Sequence, residues 1–471
     1  MIRSCWVLLL AATLAAILPA APAAPVYVIL WFDTEDYIDP AADDAALRIA
    51  ADLTQLGVRA TFKVVGEKAR VLSSRGRSDV IHALARHSIG YHSNFHSLHP
   101  APAEYLRRFG YLEGADEFQR REGPGALDLQ RIFGRKPSCY GQPGSSWGPQ
   151  SNLALRRMGI PVYLDEGEHV GLAGQPFWYG GLLYVFNLGP NQIRARLDAG
   201  PEDFAAYAAF DQAAARLRSS GGGLISIYYH PTEFVNAEFW DAVNFARGAN
   251  PPRERWRPPR PRTKQDAERC YEVLRRYVQH MQSVEGVRFI AADDLPKLYR
   301  SPLPSPPDLK LIASHLTRSI VFLTAGDEAY SPADMLLALL HIPPAVIDGP
   351  TAPGATTWPA PDVDRRALLR AAEDAADFIR RNHRLPNQVF IGAETLSLAD
   401  FTATLAASTQ TSSDPVPLVR GRVAFEPYFA ADPKKAFNWV IHPQDFAAPE
   451  LLDLARLQGW TLKPARLAPS P

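Results

Sequence analysis

Three histidines fall within the stretch GYHSNFHSLHP, residues 90–100: His92, His96 and His99. The chain has 12 histidines in 471 residues, and five of them lie between His82 and His99. His92 and His96 are spaced i, i+4, which on a helix or a tight helical turn puts both imidazoles on one side. Zinc favours imidazole, and three protein ligands plus a water is its usual catalytic arrangement. A carboxylate would complete the set. The segment WFDTED offers Asp33, Glu35 and Asp36, with Asp39 close behind. Clustered like charges raise one another's pKa, so such a group implies either a cation between them or solvent exposure. Strand alternation puts Glu35 on the face of Asp33. A bend at the strand end would instead present Asp36, the shorter side chain. Asp36 is the preferred third ligand, with Glu35 as the alternative. His99, three residues on and before a proline, reads as outside the site. His82 and His87, in SDVIHALARH, read as surface or capping residues.

Other chemistry-bearing residues sit at the ends of apolar runs. His230 closes GLISIYYH, where a general acid or base would stand. Asp165 and Glu166 follow IPVYL; either could orient a histidine through its second ring nitrogen. Arg135 opens GRKPSCYGQPGSSWGP (134–149), a loop rich in Gly and Pro of the kind that shapes a substrate site.

These residues need a frame. VYVILWF (26–32) predicts a strand, AADDAALRIAADLTQLG a helix stopped at Gly57, and VRATFKVV a second strand. Further strands are expected at 160–164, 182–186, 223–229 and 287–292, with KQDAERCYEVLRRYVQHMQSV a long amphipathic helix before the last. About seven strands alternating with helices predict an α/β, barrel-like domain with its working residues at the C-terminal strand ends. Lys+Arg and Asp+Glu are equal at 50 each. A nucleic-acid surface, which needs a basic excess, is not expected.

Taken in order, these pieces resemble the polysaccharide deacetylases with the NodB homology domain, carbohydrate esterase family 4. WFDTED matches the first motif, GVRATFKVVGE a common second-strand phrase, and HSNFH the His-[Ser/Thr]-x-x-His motif. RKP (135–137) matches the Arg-x-Pro segment, Asp165 an aspartate after a strand, and His230 a strand-ending histidine. The resemblance covers residues 25 to about 300. It implies a distorted (β/α) barrel and metal-dependent N-deacetylation, with Zn²⁺ or another divalent metal as cofactor. It implies Asp33 as catalytic base, His230 as catalytic acid, His92 and His96 as metal ligands, and Arg135 and Asp165 as supporting residues. Departures from the pattern are Asp-Thr-Glu-Asp for two adjacent aspartates, Ser97 for a proline and Ser138 for an aromatic. Trp147 and Tyr140 are candidates for stacking on sugar rings.

Residues 1–24 predict a secretory signal: Arg3, the apolar run CWVLLLAATLAAIL, and small residues at Ala21 and Ala23. No other segment approaches about 18 uncharged apolar residues, so no membrane span is expected after cleavage. The expected location is secreted, periplasmic or in the cell envelope. Residues 25–299 form the expected catalytic domain and RSPLPSPPDLK (300–310) a Pro-rich linker. Residues 311–471 form a smaller α+β accessory region. It carries an internal echo, VFLTAGDEAYSPADM (321–335) against VFIGAETLSLADF (389–401), with Ser331 and Ser397 as helix N-caps. That region resembles pseudomurein-binding repeats, which implies cell-wall contact. The expected substrate is a cell-surface polysaccharide. The competing readings are a non-catalytic carbohydrate-binding protein on a deacetylase scaffold, and a hydrolase of a small cyclic amide.

Overall fold

The computed structural model describes residues 24–200, 202–305 and 307–469. The predicted signal lies outside these residues, Ala24 excepted. The apolar run after it forms β1 (Val26–Thr34). Val28 to Phe32 are fully buried, as expected of a central strand in a parallel sheet covered on both faces. β2 (Thr61–Val64) and β3 (Ser88–Tyr91) extend the sheet on one side.

Three strands come from the middle of the chain: β4 (Val162–Leu164), β5 (Phe177–Tyr179) and β6 (Leu182–Val185). β7 (Gly223–Tyr229) pairs with the whole length of β1, and β8 (Val287–Ile290) with its first half. β1, β2, β3, β7 and β8 are all parallel, and helices such as Pro40–Gln55 and Lys264–Ser283 fill the crossovers.

In place of one continuous barrel ladder, β4, β5 and β6 form a second, mixed sheet. Single parallel bridges at Tyr140, to Tyr91 and to Tyr163, join it to β3. A further bridge, Gln192 to Ser226, lies on the β7 side.

The C-terminal region holds two hairpins, Leu323–Ala325 with Glu328–Tyr330 and Gln388–Ile391 with Glu394–Ser397. Each turns through a left-handed glycine, Gly326 or Gly392, and feeds a helix capped by Ser331 or Ser397. The region does not stand apart. Residues Lys463–Pro464 pair antiparallel with β5, and Leu467 bridges Tyr299. The 300–310 stretch is tied down as well: the Arg300 amide donates to the Arg466 carbonyl, and Lys463 Nζ donates to the Pro302 carbonyl at 2.6 Å. Cys139 and Cys270 are buried and unpaired. No helix among the described residues is long and apolar enough to cross a membrane.

Candidate active site

Five parallel-strand ends converge. β1 supplies Asp33 and, just past its end, Glu35; β2 supplies Lys63; His92, Asp165 and His230 follow β3, β4 and β7. Asp33, Lys63 and Gly90 stand side by side in the ladder. Gly90 makes room there, since a Cβ would come within 2.9 Å of Lys63 Cγ and 2.5 Å of Cys139 Sγ.

Glu35, His92 and His96 form one cluster. Glu35 Oε2 lies 3.2 Å from His92 Nε2 and 2.9 Å from His96 Nε2. All three side chains are buried. His92 Nδ1 is 3.1 Å from the Gly141 carbonyl, which can only accept, so the proton sits there and Nε2 presents a lone pair to Glu35. Burial lowers the His92 pKa, outweighing nearby Asp33 and keeping the imidazole neutral. His96 Nε2 is buried with no hydrogen-bond partner, although it faces the same carboxylate. Lone pairs and a carboxylate aimed at one point are the donor set of a divalent cation, and two imidazoles with one carboxylate suit zinc. The residues fit the implied metal. Burial acts to raise the Glu35 pKa, but the neighbouring His96, His230 and His92 hold it well below the usual range. Trp240 Nε1–H donates to Glu35 Oε1 at 2.8 Å and fixes its orientation.

The expected i, i+4 helical pairing of the histidines is absent. Residues 92–96 form a loop in which Ser93 and His96 adopt left-handed backbone, with φ of 63° and 58°. The His96 amide donates to Ser93 Oγ, and the two rings end 4.9 Å apart. The loop docks on the helix Tyr111–Phe133 where Pro124 interrupts the backbone ladder. Asn94 Nδ2 donates to the Arg121 carbonyl, and Tyr91 Oη to that of Glu122. The Glu122 carboxylate accepts from the Asn94 amide.

Asp36, the preferred ligand from sequence, is turned away. Its Oδ1 accepts from the Ile38 and Asp39 amides and its Oδ2 from Thr232 Oγ1. Burial, only partly offset by Lys68, raises its pKa to about 6. β1 runs straight to Thr34, so alternation carries Glu35 inward and Asp36 out.

Beside the cluster, Lys63 sits between two carboxylates, 3.0 Å from Asp33 Oδ1 and 2.5 Å from Asp165 Oδ2. Burial disfavours its charge, but the two aspartates outweigh that and raise its pKa. Arg135, the cation expected here, is exposed and donates to the Ala85 and His87 carbonyls. Lys63 went unread in the sequence; its one signal is a lysine inside the otherwise apolar strand phrase TFKV.

His230 Nε2 lies 3.7 Å from Asp33 Oδ2, and its Nδ1 is 2.5 Å from Glu233 Oε1. Burial would lower its pKa, but Glu35, Glu233 and Asp33 together raise it to about 9. Asp33, Glu35, His92, His96, Asp165 and His230 line one cavity of about 280 Å³. Trp439 and Val440 from the C-terminal region line it too, which no local signal announces.

Trp147 and Tyr140 do not reach this cavity. Trp147 is buried against His169, and Tyr140 bridges the two sheets. His99 stays outside, paired with Glu104 at 2.8 Å. His87 is buried rather than superficial; its ring nitrogens meet the Ala60 amide and the Ala50 carbonyl.

No family model and no curated protein matches the chain. Solved structures do. The structural neighbours include carbohydrate esterase family 4 deacetylases. The peptidoglycan deacetylase PdaC of Bacillus subtilis is 14% identical, with a TM-score of 0.29 over 59% of this chain and 92% of that one. A family 4 carbohydrate esterase from Streptomyces lividans is 17% identical, with a TM-score of 0.27 over 44% and 81%. Puue allantoinase is 14% identical, with a TM-score of 0.36 over 58% and 90%. The functional reading rests on the side chains of the cavity.

Proposed function

We propose that this chain is a metal-dependent hydrolase that removes N-acetyl groups from a polysaccharide, acting outside the cytoplasm or in the cell envelope as its apolar leader implies. The supporting observation is the meeting, in one cavity, of Glu35, His92 and His96 with His230 and with Asp33, which Lys63 backs from beneath. A divalent ion such as Zn²⁺ on Glu35, His92 and His96 would supply Lewis-acid polarisation of the amide carbonyl and a lowered pKa for water.

The chain's own groups do the rest. Lys63 Nζ, 3.0 Å from Asp33 Oδ1, holds that carboxylate in place. Asp33 then accepts the proton of the attacking water. His230 donates a proton to the departing amine. Asp33 Oδ2 and His230 Nε2 face each other across 3.7 Å, so base and acid address the same substrate bond. Glu233 holds the far side of the imidazole and fixes the orientation of the acid.

Metal content and acetate release from N-acetylated chitooligosaccharide and peptidoglycan test this reading. His92→Ala is expected to lose metal. Asp33→Asn and His230→Ala are expected to keep metal and lose about 10²–10⁴-fold in rate, the usual contribution of a general base or acid. A metal-free wild type that releases no acetate would sink the proposal.

A further inference from the structure

The stretch RGANPPRERWRPPRPRTK, residues 247–264, carries seven cations and one acid, Glu254. The chain as a whole is neutral, with 50 residues of each sign, so this excess is local. Elsewhere arginines meet acids one helical turn away, as Arg120 does Glu117 and Arg275 does Glu272. Within the stretch Arg253 reaches Glu67, and Arg260 lies 3.4 Å from Glu238. Arg247, Arg255, Arg257 and Lys264 are exposed, and none of the four forms an ion pair among the described residues.

The backbone is fixed while these charges stand free. Pro258, Pro259 and Pro261 lock φ at about −65°. Asn244 Oδ1 accepts from the Arg257 amide and Asn244 Nδ2 donates to the Arg257 carbonyl, each at 2.9 Å. Asn236 bridges Pro261, and Trp256 Nε1 donates to the Pro251 carbonyl at 3.0 Å. In polyproline-like backbone, which rises about 3.1 Å per residue, arginines two or three residues apart stand roughly 6–9 Å from one another. That is inside the screening length of about 10 Å at 0.1 M salt, so they repel. An anion spanning them relieves the repulsion, and the pinned backbone leaves little ordering entropy to lose on binding.

The composition of the band narrows the chemistry of that anion. Its one aromatic, Trp256, packs inward on Tyr37 at 5.7 Å and Phe245 at 5.8 Å, and the Arg253 guanidinium covers it at 5.1 Å. A nucleobase finds no free ring to stack on. The band has no Leu, Ile, Val, Phe or Met to enter a lipid layer. Guanidinium forks do match the paired oxygens of phosphate and carboxylate.

We propose that residues 247–264 form a docking surface for a linear polyanion, a polymer with a phosphate or carboxylate on each repeat. None of these residues lines the catalytic cavity, so the surface holds a partner and takes no part in bond cleavage. The proposal stands apart from the deacetylase reading.

The full chain is titrated with inorganic polyphosphate and with polygalacturonate. Wild type is expected to bind at least one, with affinity falling tenfold or more between about 50 and 200 mM salt. The preferred polymer tells phosphate from carboxylate. The double variant Arg255→Ser/Arg257→Ser is expected to weaken binding about tenfold, the worth of two exposed ion pairs. Its thermal unfolding and its acetate release from neutral chitooligosaccharide should match wild type. A charge-matched control, Arg366→Ser/Arg370→Ser on the helix Arg365–Asn382, is expected to bind as wild type does. Binding of neither polymer, binding that ignores salt, or equal loss in both double variants would overturn the surface. So would tighter binding to phosphatidylglycerol vesicles or to a single-stranded oligonucleotide than to either polymer. A wild type that binds polyanion but releases no acetate counts against the deacetylase reading alone.

Discussion

Glu35 and Asp36 are chain neighbours with opposite duties. Glu35 reaches both imidazoles, whereas Asp36 closes the turn that starts the next helix. Glu35→Gln is therefore expected to weaken metal binding by more than the roughly 10–100-fold typical of an outer-shell loss. Asp36→Asn should hold metal as wild type does and shift stability by no more than about 2 kcal/mol. Metal analysis with thermal unfolding separates the two. Lys63→Met leaves Asp33 and Asp165 buried without their shared cation and is expected to cost about 3–5 kcal/mol in denaturant unfolding. Most of the site's residue types were legible in the sequence, because acids and histidines closing apolar runs stand out. The choice between Glu35 and Asp36 was not, since it turns on whether β1 continues straight through Thr34. Lys63 was hidden for another reason. A buried lysine is stable only beside its two carboxylates, and those lie one strand away and over 100 residues on.

Elements hold the loops that hold these side chains. β1 and β7 were readable as long apolar runs. β3 was not, being four residues with a serine and a glycine among them. The helix Tyr111–Phe133 carries Gly and Pro in mid-course, which masks it in sequence and makes it the dock for the His92–His96 loop. Close approach also governs the segment carrying Gly141. Its carbonyl receives the His92 Nδ1–H, and a Cβ there would lie 2.2 Å from both Asp165 Oδ2 and Lys63 Nζ. Gly141→Ala is expected to cost about 1–3 kcal/mol through overpacking. It should also lower acetate release while metal is retained. Denaturant unfolding and metal analysis on the same preparation check both halves.

At the scale of the whole molecule, the C-terminal region is sewn to the catalytic half by a buried carboxylate. Glu104 accepts from His99 at 2.8 Å and from His442 at 3.1 Å. Burial would raise its pKa, but hydrogen bonds from His442 and His99 hold it at about 2, against an ordinary 4.5. A depressed carboxylate contributes stability that is present above its unfolded pKa and lost as pH falls toward the folded one. Glu104→Gln is thus expected to cost about 3 kcal/mol near pH 5.5. The gap to wild type should close as unfolding is repeated from pH 4.5 toward pH 2. Such ties escape sequence reading because their partners are hundreds of residues apart.

The pairing of Lys463–Pro464 with β5 has a consequence for synthesis. On a translating ribosome β5 emerges with one edge unclaimed, and at about 5–20 residues per second its partner follows some 15–60 s later. Trp439 arrives only shortly before that partner. Through that interval the nascent chain carries every proposed metal ligand without the wall that Trp439 and Val440 complete. Completion of the cavity wall thus waits on the synthesis of residues far downstream of the proposed metal ligands.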